Sequence, residues 1–386
     1  MKRLGDVVEV IAGQAAPKTF GEIGLPFIRA GHLDSLIQGD KLDDLPKVTD
    51  EVAKSKRLKK IPKGTILFAK SGMSATKNRI LITKNDAYFV SHLAGILPNN
   101  KFSSSYLSKF LYWFNPTNLI LDEAYPSIRL VDINNLKIPL PPLEQQKKIA
   151  AILDAADTYR QKTKALITKY DALTQSLFLD MFGDPFTNKK NFPVFKLGEL
   201  CNELFLGLTS KVEYVEKGGF PLIRAKDINK GVLSFEKVKY ISEKQHRKIT
   251  ARRITKRGDV LISKSGTLGT CAIVDSDREF TTYESIFTVR PKEGLLSNIF
   301  LVYLVRNEGF KLKLLGNKVG GTVAHLNLKM FRDFEFPLPN IQKQKKFTKR
   351  AQAIEAQKAQ AQDSLSQAED LFNSLLQKAF KGELTN

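Results

Sequence analysis

Two stretches of the chain place apolar residues three and four apart over a long distance. From Leu143 to Met181 there is no glycine or proline, and apolar or small residues fall at Ile149, Ile152, Ala156, Tyr159, Leu166, Tyr170, Leu173 and Leu177, with one polar break at Thr163. Beyond Asn340, Phe347, Ile354, Ala361, Ala368 and Leu375 recur every seven residues, and Ala351, Leu365, Phe372 and Ala379 follow at plus four. Such spacing predicts two helices, each with an apolar seam. Pro141-Pro142 opens the first and Asn340 caps the second. Glycine and proline in "FGDP" (Phe182–Pro185) end the first, and "FKGEL" (Phe380–Leu384) ends the second. At 1.5 Å per residue, helices of about 38 residues are about 57 Å long. Neither can bury its stripe alone, so the pattern predicts that they pair as an antiparallel coiled coil.

The remaining sequence alternates short periods. "KGTILFA" and "RGDVLIS" read as strands behind turn residues, whereas "SYLSKFLYWF" (Ser105–Phe114) and "SNIFLVYLVR" (Ser297–Arg306) read as helices. Each long helix is therefore preceded by an α+β module. The modules are copies of one plan. "LPFIRAGHLD" from Leu25 faces "FPLIRAKDIN" from Phe220, "IPKGTILFAKSG" from Ile61 faces "ITKRGDVLISKSG" from Ile254, and "IPLPPLEQQKKI" from Ile138 faces "FPLPNIQKQKKF" from Phe336. The offset stays near 195 throughout, being 193 at Leu4, 195 at Arg29, 194 at Gly64 and 198 at Pro139. A period this long means tandem domains, since solenoid repeats run to about 20–50 residues.

Charge changes this picture from architecture towards function. Lys and Arg total 61 against 40 Asp and Glu in 386 residues, a net charge of +21. Leu143–Met181 carries only +1 and Asn340–Asn386 only +3, which leaves +17 on the two modules. A polyanion is the expected partner, and the modules are where it binds. The helices suit spacing and protein docking.

Catalytic chemistry is not legible. No GxxxxGK[ST] phosphate loop occurs. "DEAY" (Asp122–Tyr125) and "NPTN" (Asn115–Asn118) resemble helicase and amino-methyltransferase boxes only in fragments, and the second reads better as a helix stop after Phe114. The four histidines are scattered and Cys201 and Cys271 lie 70 apart, so no zinc spacing exists. No metal, cofactor or catalytic residue is expected. Two cysteines imply no disulfide framework, and "MKRLGDVVEV" has no signal-peptide run. The longest apolar stretch, Ile299–Val305, is far short of a membrane span, so a cytoplasmic protein is expected.

Duplicated modules that each end in "PLPPLEQQKKI"-like text and a long helix, together with the "AKSG" and "SKSGTLG" turns and the "MFGDP" linker, resemble the specificity subunit of type I restriction-modification systems. The resemblance implies an α+β fold of two target recognition domains with a pseudo-twofold internal repeat, at residues 1–142 and 183–339, separated by spacer helices at 143–182 and 340–386. It implies a non-catalytic subunit that reads a bipartite, asymmetric site in double-stranded DNA. Two methyltransferase subunits would dock on the helices, and restriction/translocase subunits would join the full complex. Adenine N6 methylation with S-adenosylmethionine and ATP-dependent cleavage would belong to those partners. Helix length would then act as a ruler for the spacer between half-sites.

The turns shared by both halves supply the candidate DNA contacts. Lys70, Ser71 and Gly72 in the first half and Lys264, Ser265, Gly266 and Thr267 in the second follow a strand, where lysine reaches phosphate or guanine and serine reaches either. Arg29 and Arg224 close the shared "IRA" segment, with an internal structural pairing as the alternative. Lys77, Arg79, Lys226, Lys318 and Thr322 add nearby polar groups, and His325 follows "GGTVA". "DEAYPSIRL" stands in the first half where the second has "GGTVAHLNL", a departure from the family's usual Gly/Thr-rich turn. Leu153, Ile167, Phe178 and Leu376 are the candidates for partner contact on outer helix faces. Two rival readings remain: a nuclease with an unrecognised active site, and a helical-hairpin protein that is structural or binds RNA.

Overall fold

The structure is a computed structural model that describes residues 1–384 except 186, 217, 229–230, 265–268 and 315–326. It falls into two compact units, Met1–Lys164 with Gln362–Asn386, and Ala165–Ala361.

Each unit is built on the same two sheets. In the first, Val10–Ala12, Leu93–Ile96, Ile66–Ala69 and Leu81–Ile82 form an antiparallel sheet in that order. In the second, Cys201–Leu206, Ile286–Pro291, Val260–Ser263 and Cys271–Ile273 repeat it. The strands predicted from "KGTILFA" and "RGDVLIS" are the third in each list. They are buried along their whole length, which is why they read as continuous apolar runs rather than alternating ones. Gly64 and Gly258, at φ +87° and +89°, make the tight turn before them that a side chain would strain. A smaller sheet pairs Leu25–Ile28 with Tyr88–Phe89 in parallel, and Phe220–Ile223 pairs with Thr281–Thr282 in the same way. The ends of each module meet in a two-stranded pair, Lys2–Arg3 with Lys137–Ile138 and Val194–Lys196 with Glu335–Pro337.

The predicted helices are present at Ser104–Phe114 and Asn298–Arg306, capped by the hydroxyls of Ser103 and Ser297. The long helices cover Leu143–Phe182 and Ile341–Lys381. The side chain of Asn340 accepts from Lys343 N at 3.0 Å, as its capping role requires. Both helices contribute to both units. In the first unit, Ile149 and Leu153 from the start of one helix share a core with Phe372, Leu376 and Phe380 from the end of the other. The Phe380 ring lies 5.4 Å from Tyr106 and from Phe110 and 5.5 Å from Trp113. In the second unit the roles exchange, and Phe178 and Phe182 pack on Phe300 and Phe347 at 5.0–5.6 Å. Start meets end in each unit, which is the antiparallel order expected.

The seam of the first helix differs in phase from the expected one. Ile152, Tyr159, Leu166 and Leu173 are 41%, 56%, 41% and 51% exposed. The buried stripe instead includes Ile149, Leu153, Thr163, Thr174 and Phe178. The two threonines are tolerated because their hydroxyls donate to the carbonyls of Tyr159 and Tyr170, at 2.9 and 3.1 Å. Thr174 occupies the position equivalent to Phe372, and a cavity of about 160 Å³ opens there, lined by Asp171, Tyr303, Arg306 and Glu355 among others.

Candidate nucleic-acid interface

In the first unit, backbone hydrogen bonds gather three of the predicted segments on one edge. Val90 N donates to Ile28 O at 3.0 Å, next to Arg29. Ser91 N donates to Gln14 O at 2.9 Å, and Lys70 N donates to His92 O at 2.8 Å. Arg29 is exposed, with its guanidinium 4.8 Å from the Phe20 ring centroid. His32 beside it is held below the ordinary imidazole range by burial and by the Arg29 charge. Lys70 and Ser71 are half-buried, and Gly72 and Lys77 are exposed. The Ser71 hydroxyl lies 2.8 Å from His92 Nδ1. "DEAYPSIRL" docks on this turn, with Ile128 N donating to Lys70 O at 2.7 Å and Gly72 N donating to Pro126 O at 2.9 Å.

Arg79 is a correction. It is buried, its Nη1 lies 2.8 Å from Asp34 Oδ2, and its Nη2 donates to Ser74 O at 3.1 Å. The arginine ties two loops together and does not face outward.

The second unit repeats the edge. Tyr283 N donates to Ile223 O at 2.8 Å, Glu284 N to Leu208 O at 3.0 Å, and Lys264 N to Ser285 O at 2.9 Å. Lys226 is exposed, Lys264 is half-buried, and half-buried Arg224 lies 3.7 Å from the Asp227 carboxylate. Ser265, Gly266, Thr267, Lys318, Thr322 and His325 lie outside the described residues.

A cationic surface adjoins each edge, and it was not among the sequence candidates. In the second unit it is a groove of about 1180 Å³ whose lining includes Lys211, Lys244, Lys248, Arg252 and Arg253 and, among the described residues, one acid, Glu213, and it runs to Leu208, Thr281 and Thr282. Most of these cations sit on or just after the helix Glu243–Thr250, whose Ser242 cap accepts from Gln245 N at 3.2 Å. The buried face of that helix carries Gln245, which accepts from Glu213 N and donates to Lys211 O, and His246, stacked 3.8 Å above Phe220. Burial holds the His246 imidazole below its ordinary value, so this is a structural histidine. In the first unit the equivalent helix, Asp50–Ser55 capped by Thr49, leads into "KSKRLKK" (Lys54–Lys60). There Lys59 N donates to the side chain of Gln14 at 2.9 Å, the same residue whose backbone carbonyl accepts from Ser91 N. The run of five cations was a visible signal; its place beside the turns was not.

Among the described residues no group of three or more His, Cys, Asp or Glu could hold a metal ion. Burial pushes the Cys201 thiol up to about 12, which makes it a poor nucleophile.

A model of the family described as the type I restriction modification DNA specificity domain matches residues 1–169 and again 189–367. The chain belongs to that family. It is 22% identical over 328 residues to the type I restriction enzyme MjaVIII specificity subunit of Methanocaldococcus jannaschii, covering 75% of this chain and 76% of that one. It is also 22% identical over 392 residues to the EcoKI specificity subunit of Escherichia coli, at 94% and 82% coverage. Two solved structures share the fold. One is a type I restriction-modification S subunit from M. genitalium, with TM-score 0.56, 16% identity and coverage of 98% and 95%. The other comes from a study of complex assembly and conformational transition in a type I system, with TM-score 0.63, 21% identity and coverage of 99% and 97%.

As a type I specificity protein the chain has a DNA sequence-specificity role, and both rival readings fall. The partner-contact residues need correction. Leu153, Phe178 and Leu376 are 0%, 2% and 3% exposed and form the cores where the long helices meet the modules. Ile167 is half-buried. No helix of the described residues is long and apolar enough to cross a membrane.

Proposed function

We propose that each unit reads one half of a bipartite, asymmetric site in double-stranded DNA. The single observation that carries this is the duplicated edge: the same backbone hydrogen bonds hold the Arg29–Lys70 and Arg224–Lys264 segments, each beside a cationic surface, while the side chains between them differ. Phosphate contacts from Lys54–Lys60 and from Lys244, Lys248, Arg252 and Arg253 position the duplex, and the turns reach base edges. Arg29, Lys70, Ser71, Gly72, Lys77, Arg224, Lys226 and Lys264 remain the proposed reading groups. The recognition domains take residues 1–142 and 183–339, and the helices between and after them set the spacer.

The chemistry belongs to partner chains: two methyltransferase subunits for adenine N6, and restriction/translocase subunits for ATP-dependent cleavage, in the cytoplasm. The helix surfaces that meet them are Ile152 and Tyr159 in the first unit and Leu166 and Leu173 in the second, because these four form one row, seven residues apart, of large apolar groups that the first long helix leaves exposed.

Selection on randomised duplex DNA tests the reading. The full chain with a methyltransferase subunit is expected to enrich two short sequences at a fixed spacing; a pool without them, or equal capture of RNA, would sink it. Changing Lys244, Lys248 and Arg252 to Gln together should lower the slope of log affinity against log salt by about three while leaving the selected sequence unchanged.

A further inference from the structure

Four backbone hydrogen bonds fix a three-residue segment in each unit, and they are the same four. In the first unit Val90 N, Ser91 N and Leu93 N donate to Ile28 O, Gln14 O and Val90 O, and His92 O accepts from Lys70 N. In the second, Tyr283 N, Glu284 N and Ile286 N donate to Ile223 O, Leu208 O and Tyr283 O, and Ser285 O accepts from Lys264 N. The flanking residues, Phe89 and Leu93 or Thr282 and Ile286, are buried. The backbone path is therefore set chiefly by hydrogen bonds of the frame. Those side chains are entirely different: Val, Ser and His against Tyr, Glu and Ser. Val90 is buried in the core of its unit, whereas Ser91, His92, Tyr283, Glu284 and Ser285 are half-buried or exposed, so these five can vary at little cost to packing.

We propose that Val90–His92 and Tyr283–Ser285 are the specificity-determining segments, each choosing the base read by its own unit. The proposal rests on the DNA-reading function above and names the groups that discriminate. In the first unit His92 is a positioning residue for Ser71. When His92 Nδ1 carries no hydrogen it accepts the Ser71 O–H, and the hydroxyl then presents only lone pairs outward. When Nδ1 carries the hydrogen, Ser71 is free to donate. The imidazole thus decides whether the shared Lys-Ser-Gly turn meets a base-edge donor or an acceptor. In the second unit the equivalent residue, Ser285, bonds elsewhere: its hydroxyl accepts from Ala225 N at 3.3 Å. Discrimination there falls to Glu284. Its carboxylate lies beside Tyr283 and pushes that phenol above its ordinary value. A carboxylate on an otherwise cationic edge repels phosphate and accepts from an exocyclic amino group, which cytosine presents in the major groove.

The test uses the full chain in the same selection on randomised duplex DNA. One variant carries Val90→Tyr, Ser91→Glu and His92→Ser together; single variants carry His92→Ser, His92→Asn or Glu284→Gln. The triple exchange should change base preference by about tenfold or more at one half-site and leave the other as it was. Glu284→Gln should change the other half-site alone. His92→Ser should alter the first half-site, and His92→Asn, which keeps a hydrogen-bonding atom near the Nδ1 position, should restore it at least in part. Single variants that bind with both half-sites unchanged overturn the proposal, and they decide the matter if the triple exchange does not fold. If the unaltered chain selects no sequence, the DNA-reading function itself fails and this proposal with it; a selective parent with unresponsive variants removes only this step.

Discussion

Gln146 and Gln344 are equivalent residues, both buried where a long helix begins. The Gln146 side chain accepts from Ser103 N at 3.0 Å and donates to Pro141 O at 2.9 Å. Gln344 accepts from Ser297 N at 2.8 Å and donates to Pro339 O and Leu295 O at 2.8 and 2.9 Å. Each glutamine thus joins the Pro-Leu-Pro turn to the cap of the helix that packs beneath it. Gln344→Leu would strand these groups out of water, so thermal or denaturant unfolding of the full chain should show a loss of about 2–4 kcal/mol. The glutamines were legible as shared text but not as a buried clamp, since a polar residue on an apolar stripe reads as solvent-facing. Arg79 failed in the opposite sense: a basic residue near a shared turn reads as free, and only the position of Asp34 shows that it is taken.

The long helices were legible in extent because glycine, proline and capping residues mark their ends locally. So was the facing of the second, whose Phe347, Ala351, Ala361, Ala368, Phe372 and Ala379 are buried as expected; the facing of the first was not. Rows of apolar residues one position apart compete on the first helix, and its neighbours settle which is buried: Phe300 from the module and Phe347 and Phe372 from the second long helix supply the other half of the core. Ile152, Tyr159, Leu166 and Leu173 are left outside on one row, seven residues apart. Leu173→Lys should therefore weaken co-purification with the methyltransferase subunit about tenfold or more without lowering the melting temperature of the chain alone. A fall in melting temperature would mean that Leu173 is a packing residue after all. The same competition explains why Leu153, Phe178 and Leu376 were misplaced: a strongly apolar residue on a helix does not announce which side its neighbour occupies.

At the scale of the whole molecule, duplication was the most legible feature, because corresponding text survives at nearly constant offset. What the text conceals is that neither repeat closes its own core. Phe372, Leu376 and Phe380 come from the second repeat and complete the first unit, and Phe178 and Phe182 come from the first repeat and complete the second. The chain has the physics of two swapped protomers tethered by the short segment after Phe182. Tethering keeps each missing helix at high effective concentration, so unfolding of the intact protein is unimolecular. Cleavage between Asp184 and Asn191 would hand the same contacts over to mass action. The cut protein should remain assembled at high concentration, and its melting temperature should climb with dilution reversed, while that of the uncut chain stays level; two halves that melt independently of concentration would show that each repeat is self-sufficient.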